Sequence, residues 1–300
     1  HPADSVLKRL IVNADDFGLT SGVNRAILEC HQSGIVTSAT AMGTGSAFAE
    51  VPVIASQNPR LGVGCHVVLV DGTPVSIPDQ IPSLTNLKTG QFRDSLASAA
   101  LGAMARRLNH TEIVSEASAQ IRRLQAAGIS VTHLDTHKHT HLFPAVLKAL
   151  LEAARQCGIR AIRNPLEPAF LRRLSAVGLR KRRIQLATLT ALAGDFSSRV
   201  AAAGLKTTDG SIGILATGSL TLDLLQRLLD HLPDGTWELI CHPGYNDAAL
   251  QGAHTRLLHS REEELKILTS DEARRAIESG GFQLISFREL GQSADETSVP

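Results

Sequence analysis

The feature that most constrains this chain is an alternation. Short apolar runs rich in β-branched residues recur between longer stretches whose apolar residues fall at helical spacing. Strands that alternate with helices in this way build βαβ units around a parallel sheet. Expected strands are "RLIVNA" (Arg9–Ala14), "VTSATAM" (Val36–Met42), "LGVGCHVVLV" (Leu61–Val70), Ser130–Asp135, Ile159–Asn164, Leu205–Thr208, "WELICH" (Trp237–His242) and the closing "FQLISF". Between them, helices are expected over Ser21–Gly34 with Ser21 as N-cap, and over Ala47–Gln57, Thr111–Ala127, Pro144–Gly158, Leu220–Leu232 and Glu262–Ser279. Two segments break the rhythm: an inserted excursion at about 71–109, rich in proline, and a basic helical segment at about 165–203. About seven or eight βα units imply an α/β fold and a single (β/α) barrel domain spanning 1–300, in a distorted or seven-stranded form if not a regular one.

Composition excludes several functions. The 300 residues, 43% hydrophobic, suffice for one large core, and 30 basic against 29 acidic side chains leave no electrostatic footprint for nucleic acid. The one basic cluster, "LRKRR" (Leu179–Arg183), reads as a solvated helix end. Cys30, Cys65, Cys157 and Cys241 are scattered without a CxxC pair, which suits reduced thiols and a cytoplasmic location. Neither a transmembrane run nor a signal-peptide pattern is found, and no glycine-rich nucleotide fingerprint occurs.

In a parallel β/α architecture catalytic groups lie where strands end and the next loops begin. The first strand ends in "NADDFG", carrying Asn13, Asp15 and Asp16. The third ends near His66, the fourth at Asp135 and His137, the fifth at Arg163 and Asn164, and the seventh at His242. Five strands thus deliver ionisable groups to one rim. Adjacent carboxylates cannot both face one side of a strand, so Asp15 and Asp16 suit two tasks, one ligating a cation and one acting as a base near it. A turn or N-cap role ahead of the helix is the alternative. His66 taken alone suits a hydrogen-bonded core position better than a ligand's.

The stretch "THLDTHKHTHLFP" (Thr132–Pro144) carries the strongest signal. Were it all strand, His133, Asp135, His137, His139 and His141 would share one face, and burying five such groups would be destabilising. The extended part is therefore expected to end near Asp135, leaving His137 to His141 in a loop. A catalytic metal site needs about three protein ligands and an open position. His137 is the first expected ligand and His141 a second, with Asp135 or His133 orienting a ligand, and His139 and His141 also candidates for contact with substrate. A histidine-rich surface loop is the alternative. In "LICHPGYND", His242 follows a strand and is placed to protonate a leaving group. A Cys241–His242 nucleophile pair is disfavoured, because strand neighbours face opposite ways.

Together "LIVNADDFGLTSGVNRAI", "GIVTSATAM", "LGVGCHVVLVDGTPV", "THLDTHKHTHLFP" and "ELICHPGYND" resemble the YdjC-like carbohydrate deacetylases. The likeness runs from about residue 10 to residue 290. "CHPGYNDAAL" and "TRLLHSREEEL" are most similar to the hopanoid-biosynthesis-associated deacetylase subgroup (HpnK). The resemblance implies a barrel of the glycoside hydrolase/deacetylase type that removes acetyl from an N-acetylated amino sugar or glycolipid, such as the sugar head of a hopanoid lipid, with a divalent metal ion. It places the metal ligands on Asp16, His66 and His137, the base on Asp15 and, by analogy with polysaccharide deacetylases, the acid on His242. Arg163 is carried as a residue of the substrate contact or of the support behind the ligands. The family pattern often has histidine where this chain has Lys138, so position 138 is not a required ligand. Zinc or magnesium is expected first, with manganese, cobalt or nickel also compatible with the donor set. A homodimer is expected from the family alone. Metal-dependent sugar isomerases and phosphoesterases, which use similar barrels, form the rival reading.

Overall fold

The computed structural model describes residues 8–93, 107–168, 196–253 and 255–292. The first strand, β1 (Lys8–Phe17), lies at the centre of a parallel sheet and is buried along nearly its whole length. In chain order follow α1 (Ser21–Gln32), β2 (Ser38–Ala41), α2 (Val51–Gln57) and β3 (Gly62–Val67), then a short antiparallel pair, β4 (Thr85–Asn86) and β5 (Gln91–Phe92). Next come α3 (His110–Ala126), β6 (Leu134–Thr136), α4 (Pro144–Gln156), α5 (Phe196–Ala202), β7 (Gly210–Ile212), α6 (Leu222–Asp230) and β8 (Gly235–Cys241). The chain ends through α7 (Ala248–Gln251), α8 (His259–Leu268), α9 (Asp271–Ser279), β9 (Phe282–Leu284) and α10 (Phe287–Gly291).

The strand order β6-β3-β2-β1-β8-β7, with β9 against the start of β1, describes a curled parallel sheet. Beyond β6 the curl continues only through single parallel bridges, Leu134 to Ile162 and Ala161 to Lys206, four residues before β7. The expected barrel is thus a curled sheet with a loosely laddered side, and a regular eight-stranded barrel is not formed among the described residues. The expected strand at 159–164 is reduced to those bridges, and the one expected at 205–208 lies at 210–212. Four backbone hydrogen bonds remain here, from Leu134 N to Ala161 O, Arg163 N to Leu134 O, Ile162 N to Lys206 O and Lys206 N to Arg160 O, and side chains add to them. Thr207 donates to the Ile162 carbonyl at 2.7 Å, and Asn164 donates to that of Thr208 at 3.0 Å.

Two cores sandwich the sheet. The larger one lies between its outer face and the helices, where Leu10, Val12, Ala14, Val23, Ile27, Leu239 and Cys241 are fully buried. The smaller lies inside the curl at its amino end, where Ile11, Ala161, Ile285 and Phe287 pack together. Phe287 of α10 therefore fills the amino end of the curl, and the carboxyl end is left to polar residues. Helix starts follow hydrogen-bonding chemistry: Thr20, rather than Ser21, caps α1 by accepting from Val23 N. Ser270 caps α9 and splits the single helix expected over 262–279 into two.

The excursion at 71–109 is pinned to α3 by carboxylates. Glu116 accepts from the backbone of Val75 and Ser76 at 2.9 and 2.8 Å, and Glu112 from Ser83 at 2.7 Å. Residues 94–106 of the excursion and 169–195 of the basic segment lie outside the described residues. No helix among the described residues is long and apolar enough to cross a membrane. All four cysteines are free, three of them buried.

Candidate active site

Register builds the site. Parallel pairing of β3 with β6 sets His66 opposite Asp135, and His66 Nδ1 meets Asp135 Oδ1 at 2.7 Å. Near the end of β1 the pairing with β2 slips between Ala14 and Phe17, and Asp16 takes a left-handed φ of 67°. Such a φ is uncommon outside glycine. It breaks the strand alternation that would have sent Asp15 and Asp16 to opposite faces. Both carboxylates consequently turn into one buried cluster.

Three donor atoms converge. Asp16 Oδ1 lies 3.5 Å from His66 Nε2 and 3.6 Å from His137 Nδ1, and the two imidazole nitrogens are 3.3 Å apart. Metal bonds of about 2.0–2.1 Å in a tetrahedral arrangement put neighbouring ligand atoms about 3.3 Å apart, so the spacing fits a small divalent cation. The other nitrogen of His66 is already held by the Asp135 carboxylate, the usual way a ligating imidazole is oriented. Burial by itself would lower the pKa of His66, but Asp135, Asp15 and Asp16 around it raise it to about 9. Without a cation, the site takes up a proton. Burial opposes ionisation of Asp16 too, yet Arg261 and His137 hold it well below the usual carboxylate range.

Asp15 sits beside this set. Arg163 clasps it with a fork, Nη1 to Oδ2 at 2.9 Å and Nη2 to Oδ1 at 2.6 Å, and His242 Nε2 lies 3.7 Å from Oδ2. Asn13 donates to Oδ1 at 3.1 Å, and Thr40 Oγ1 lies 3.2 Å from Asp15 Oδ1 and 3.0 Å from Asp135 Oδ2. Despite burial, Arg163 foremost and then His66 keep Asp15 ionised far below the usual carboxylate range. Arg163 itself is fully buried and also contacts Asp135 at 2.5 Å and Glu238 at 2.7 Å. Three carboxylates share one guanidinium. Burial is the largest influence on Glu238, and it raises the pKa of that carboxyl from 4.5 to about 7 against the opposing pull of Arg163. A second acidic cluster, Asp15, His66 and Asp135, also has ligand-like spacing, but Arg163 already bonds both of its carboxylates.

The remaining histidines take separate places. His133 supports the ligands only at a distance: its Nε2 meets Asn13 Oδ1 at 3.1 Å, and its ring stacks on Phe287 with centroids 3.8 Å apart. His141 does not join the three converging donors: its Nδ1 meets Thr136 Oγ1 at 2.6 Å, and its Nε2 is buried with no hydrogen bond among the described residues. His139 and the preceding Lys138 are both left-handed, at φ 52° and 56°, and His139 Nδ1 is buried without a hydrogen bond among the described residues. Burial and the nearby Arg163 push its pKa down to about 3, so it is neutral. Arg163, also carried as a substrate contact, has no exposed surface and serves behind Asp15. Lys138 is exposed and pairs with Asp71. Cys241 is no nucleophile: burial drives its thiol pKa well above 9.0.

Sequence reasoning passed over Thr40, Glu238, Arg261 and Glu264. Arg261, 1% exposed, donates from Nη2 to Asp16 Oδ2 at 2.5 Å, and Glu264 accepts from the backbone N–H of His242 at 2.6 Å. Only Glu238 left a signal, as one acid inside the apolar run "WELIC".

Comparison with known proteins places the chain in a family. The family model described as YdjC-like protein matches residues 9–279. A carbohydrate deacetylase of Brevibacillus brevis is 36% identical over 94% of this chain and 100% of its own length. A chitooligosaccharide deacetylase of Salmonella schwarzengrund is 32% identical over 94% of this chain and 98% of its own. Among solved structures, an Enterococcus faecalis V583 protein named for cellobiose-phosphate cleavage superposes with a TM-score of 0.76 at 27% identity, covering 95% of this chain and 100% of the other. By sequence along nearly its whole length, the chain belongs to the YdjC-like family.

Proposed function

We propose that this protein is a metal-dependent carbohydrate deacetylase that hydrolyses the acetamido group of an N-acetylated amino sugar. The observation that carries the proposal is the juxtaposition of a three-donor set, Asp16, His66 and His137, with a separately held carboxylate, Asp15, that faces His242. The deacetylase names of the relatives support the same chemistry. Asp16, His66 and His137 would hold a divalent cation, which supplies Lewis-acid polarisation of the acyl carbonyl and a lowered pKa for an attacking water.

The chain's own residues do the rest. Asp15 accepts the proton of the water as its oxygen bonds to the carbonyl carbon, and Arg163 keeps that carboxylate ionised and aimed. His242 then gives a proton to the amine nitrogen as the C–N bond breaks, leaving acetate and a free amino sugar. Asp135 fixes the tautomer of His66 so that Nε2 faces the other donors. Glu264 fixes the backbone that carries His242.

The resemblance of "CHPGYNDAAL" and "TRLLHSREEEL" to the hopanoid-associated subgroup extends the proposal to a lipid-linked N-acetylated sugar as the preferred substrate. The test is acetate release from free N-acetylglucosamine, chitooligosaccharides and a glycolipid carrying the same sugar. Asp15→Asn should abolish release while leaving metal binding intact. Near-normal release by that variant would remove Asp15 as the base. A sugar isomerase or phosphoesterase would release no acetate from any of them.

A further inference from the structure

Arg163 and Arg261 head the fully buried side chains by volume. The fork of Arg163 is fully used, whereas Arg261 spends its donors unevenly. Its Nε bonds the Leu257 carbonyl at 3.0 Å, Nη2 bonds Asp16 Oδ2 at 2.5 Å, and Nη1 is buried with no hydrogen bond among the described residues. A buried guanidinium with an idle nitrogen is a poor way to stabilise a fold. Its path to Asp16 is specifically cleared. A Cβ at Gly244 would lie 2.9 Å from Arg261 Cδ, so the turn after His242 passes over the arginine only because residue 244 has no side chain. The same helix, α8, holds the loop that carries His242. Glu264 accepts from His242 N, Glu262 from Asn246 N at 3.1 Å, and Gly244 N donates to the Arg261 carbonyl at 3.3 Å.

We infer that Arg261 is a positioning residue that occupies Asp16 Oδ2, restricting Asp16 to one metal-facing oxygen and tying that ligand to the loop of His242. The inference rests on the metal reading of Asp16, His66 and His137. A carboxylate released from the guanidinium can rotate and offer both oxygens. That second oxygen would fill the position a catalytic site keeps open. The charge run "SREEELK" thus works as a brace, with Arg261 and Glu264 turned inward, while Glu263 and Lys266 pair on the surface.

The experiment uses the full chain stripped of metal and titrated with Co²⁺, whose visible absorption weakens as its coordination number rises. Wild type, Arg261→Gln, Arg261→Met, Arg261→Lys and Asp16→Asn are compared, with thermal melts to establish which are folded. Arg261→Gln and Arg261→Met should still bind Co²⁺ but absorb more weakly than wild type, and Arg261→Lys should recover part of the difference. With the native metal, kcat of the glutamine variant should fall about tenfold or more, while KM stays within about threefold. A wild-type spectrum in whichever of the glutamine and methionine variants folds overturns the inference, whatever its kcat. Failure of the wild type to bind Co²⁺ would refute the metal reading itself, and the role of Arg261 with it. Binding lost in Asp16→Asn and kept in the Arg261 variants separates the two claims.

Discussion

Replacing Glu238 by glutamine should make the metal-free protein more stable above neutral pH while changing it little near pH 4. Glu238 is fully buried, and its carboxyl accepts from Arg163 Nε at 2.8 Å, with Nη2 at 2.7 Å from the same oxygen. Arg163 must also serve Asp15 and Asp135, so its single charge is shared among three acids. Burial therefore prevails, and the pKa rises from 4.5 to about 7. The fold prefers the protonated acid, so the penalty is absent below pH 4.5, grows between 4.5 and 7, and is complete above 7. At about 1.4 kcal/mol for each tenfold change in proton affinity, it reaches about 3 kcal/mol. Glutamine keeps the accepting oxygen for Arg163 and cannot ionise. Its amide can reach Ser211 Oγ, which lies 3.4 Å from Glu238 Oε2 and already donates to the Asn164 carbonyl. Urea unfolding of both proteins at pH 4, 6 and 8, with chelator, gives the difference directly, since the other titrating groups are common to both. An increment growing to about 3 kcal/mol between pH 4 and pH 8 supports the reasoning. A variant that is destabilised equally at both ends would show that ionised Glu238 is well compensated by Arg163, and the argument would fail.

Three further outcomes follow from the same geometry. Because the metal-free His66 has a pKa of about 9, cation binding at pH 7 to 8 should release a proton, and affinity should weaken about tenfold for each pH unit below that value. Calorimetric titration in buffers of different ionisation enthalpy measures this, and a heat independent of buffer would contradict it. Gly64→Ala should cost about 3 kcal/mol, because the added Cβ would sit 2.5 Å from His133 Cε1 while Phe287 blocks the ring from behind; thermal melts that coincide with wild type would show that the ring can move aside. His139→Gly should raise the melting temperature slightly by relieving a left-handed φ of 52°, and lower turnover if the idle imidazole meets substrate. A lower melting temperature would mark His139 as structural.

How far the sequence reveals this molecule depends on where each residue's partner lies. The strand-end rule gathers Asp15, Asp16, His66, Asp135, Arg163 and His242 from sequence, because a parallel sheet brings the carboxyl ends of its strands to one rim. The rule could not foresee how Asp16 reaches the cluster, since the left-handed φ and the slipped register are local exceptions to strand alternation. His133 shares the every-second-residue spacing of His137, yet a supporting role and not ligation is expected of it. Four residues of extended chain move it toward the amino end of the barrel, where Gly64 leaves room for its ring. Arg261 and Glu264 were hidden for the opposite reason. They lie in a charge run on a helix, and nothing in a periodicity tells a solvated arginine from one that passes under a glycine to a carboxylate 245 positions earlier. The laddering at 159–164 and 205–208 was overestimated because β-branched runs report burial as much as backbone pairing.

The central claim is that Asp16, His66 and His137 hold a cation which, together with Asp15, makes the chain a deacetylase. The most direct measurement is acetate release from an N-acetylated sugar by the protein stripped of metal, by the same protein after addition of one equivalent of Zn²⁺, Mn²⁺ or Co²⁺, and by His137→Ala treated identically. Release that is absent from the stripped protein, restored by one equivalent of cation and absent throughout in His137→Ala is the predicted result. Full acetate release from the stripped protein, or from His137→Ala, would contradict the account.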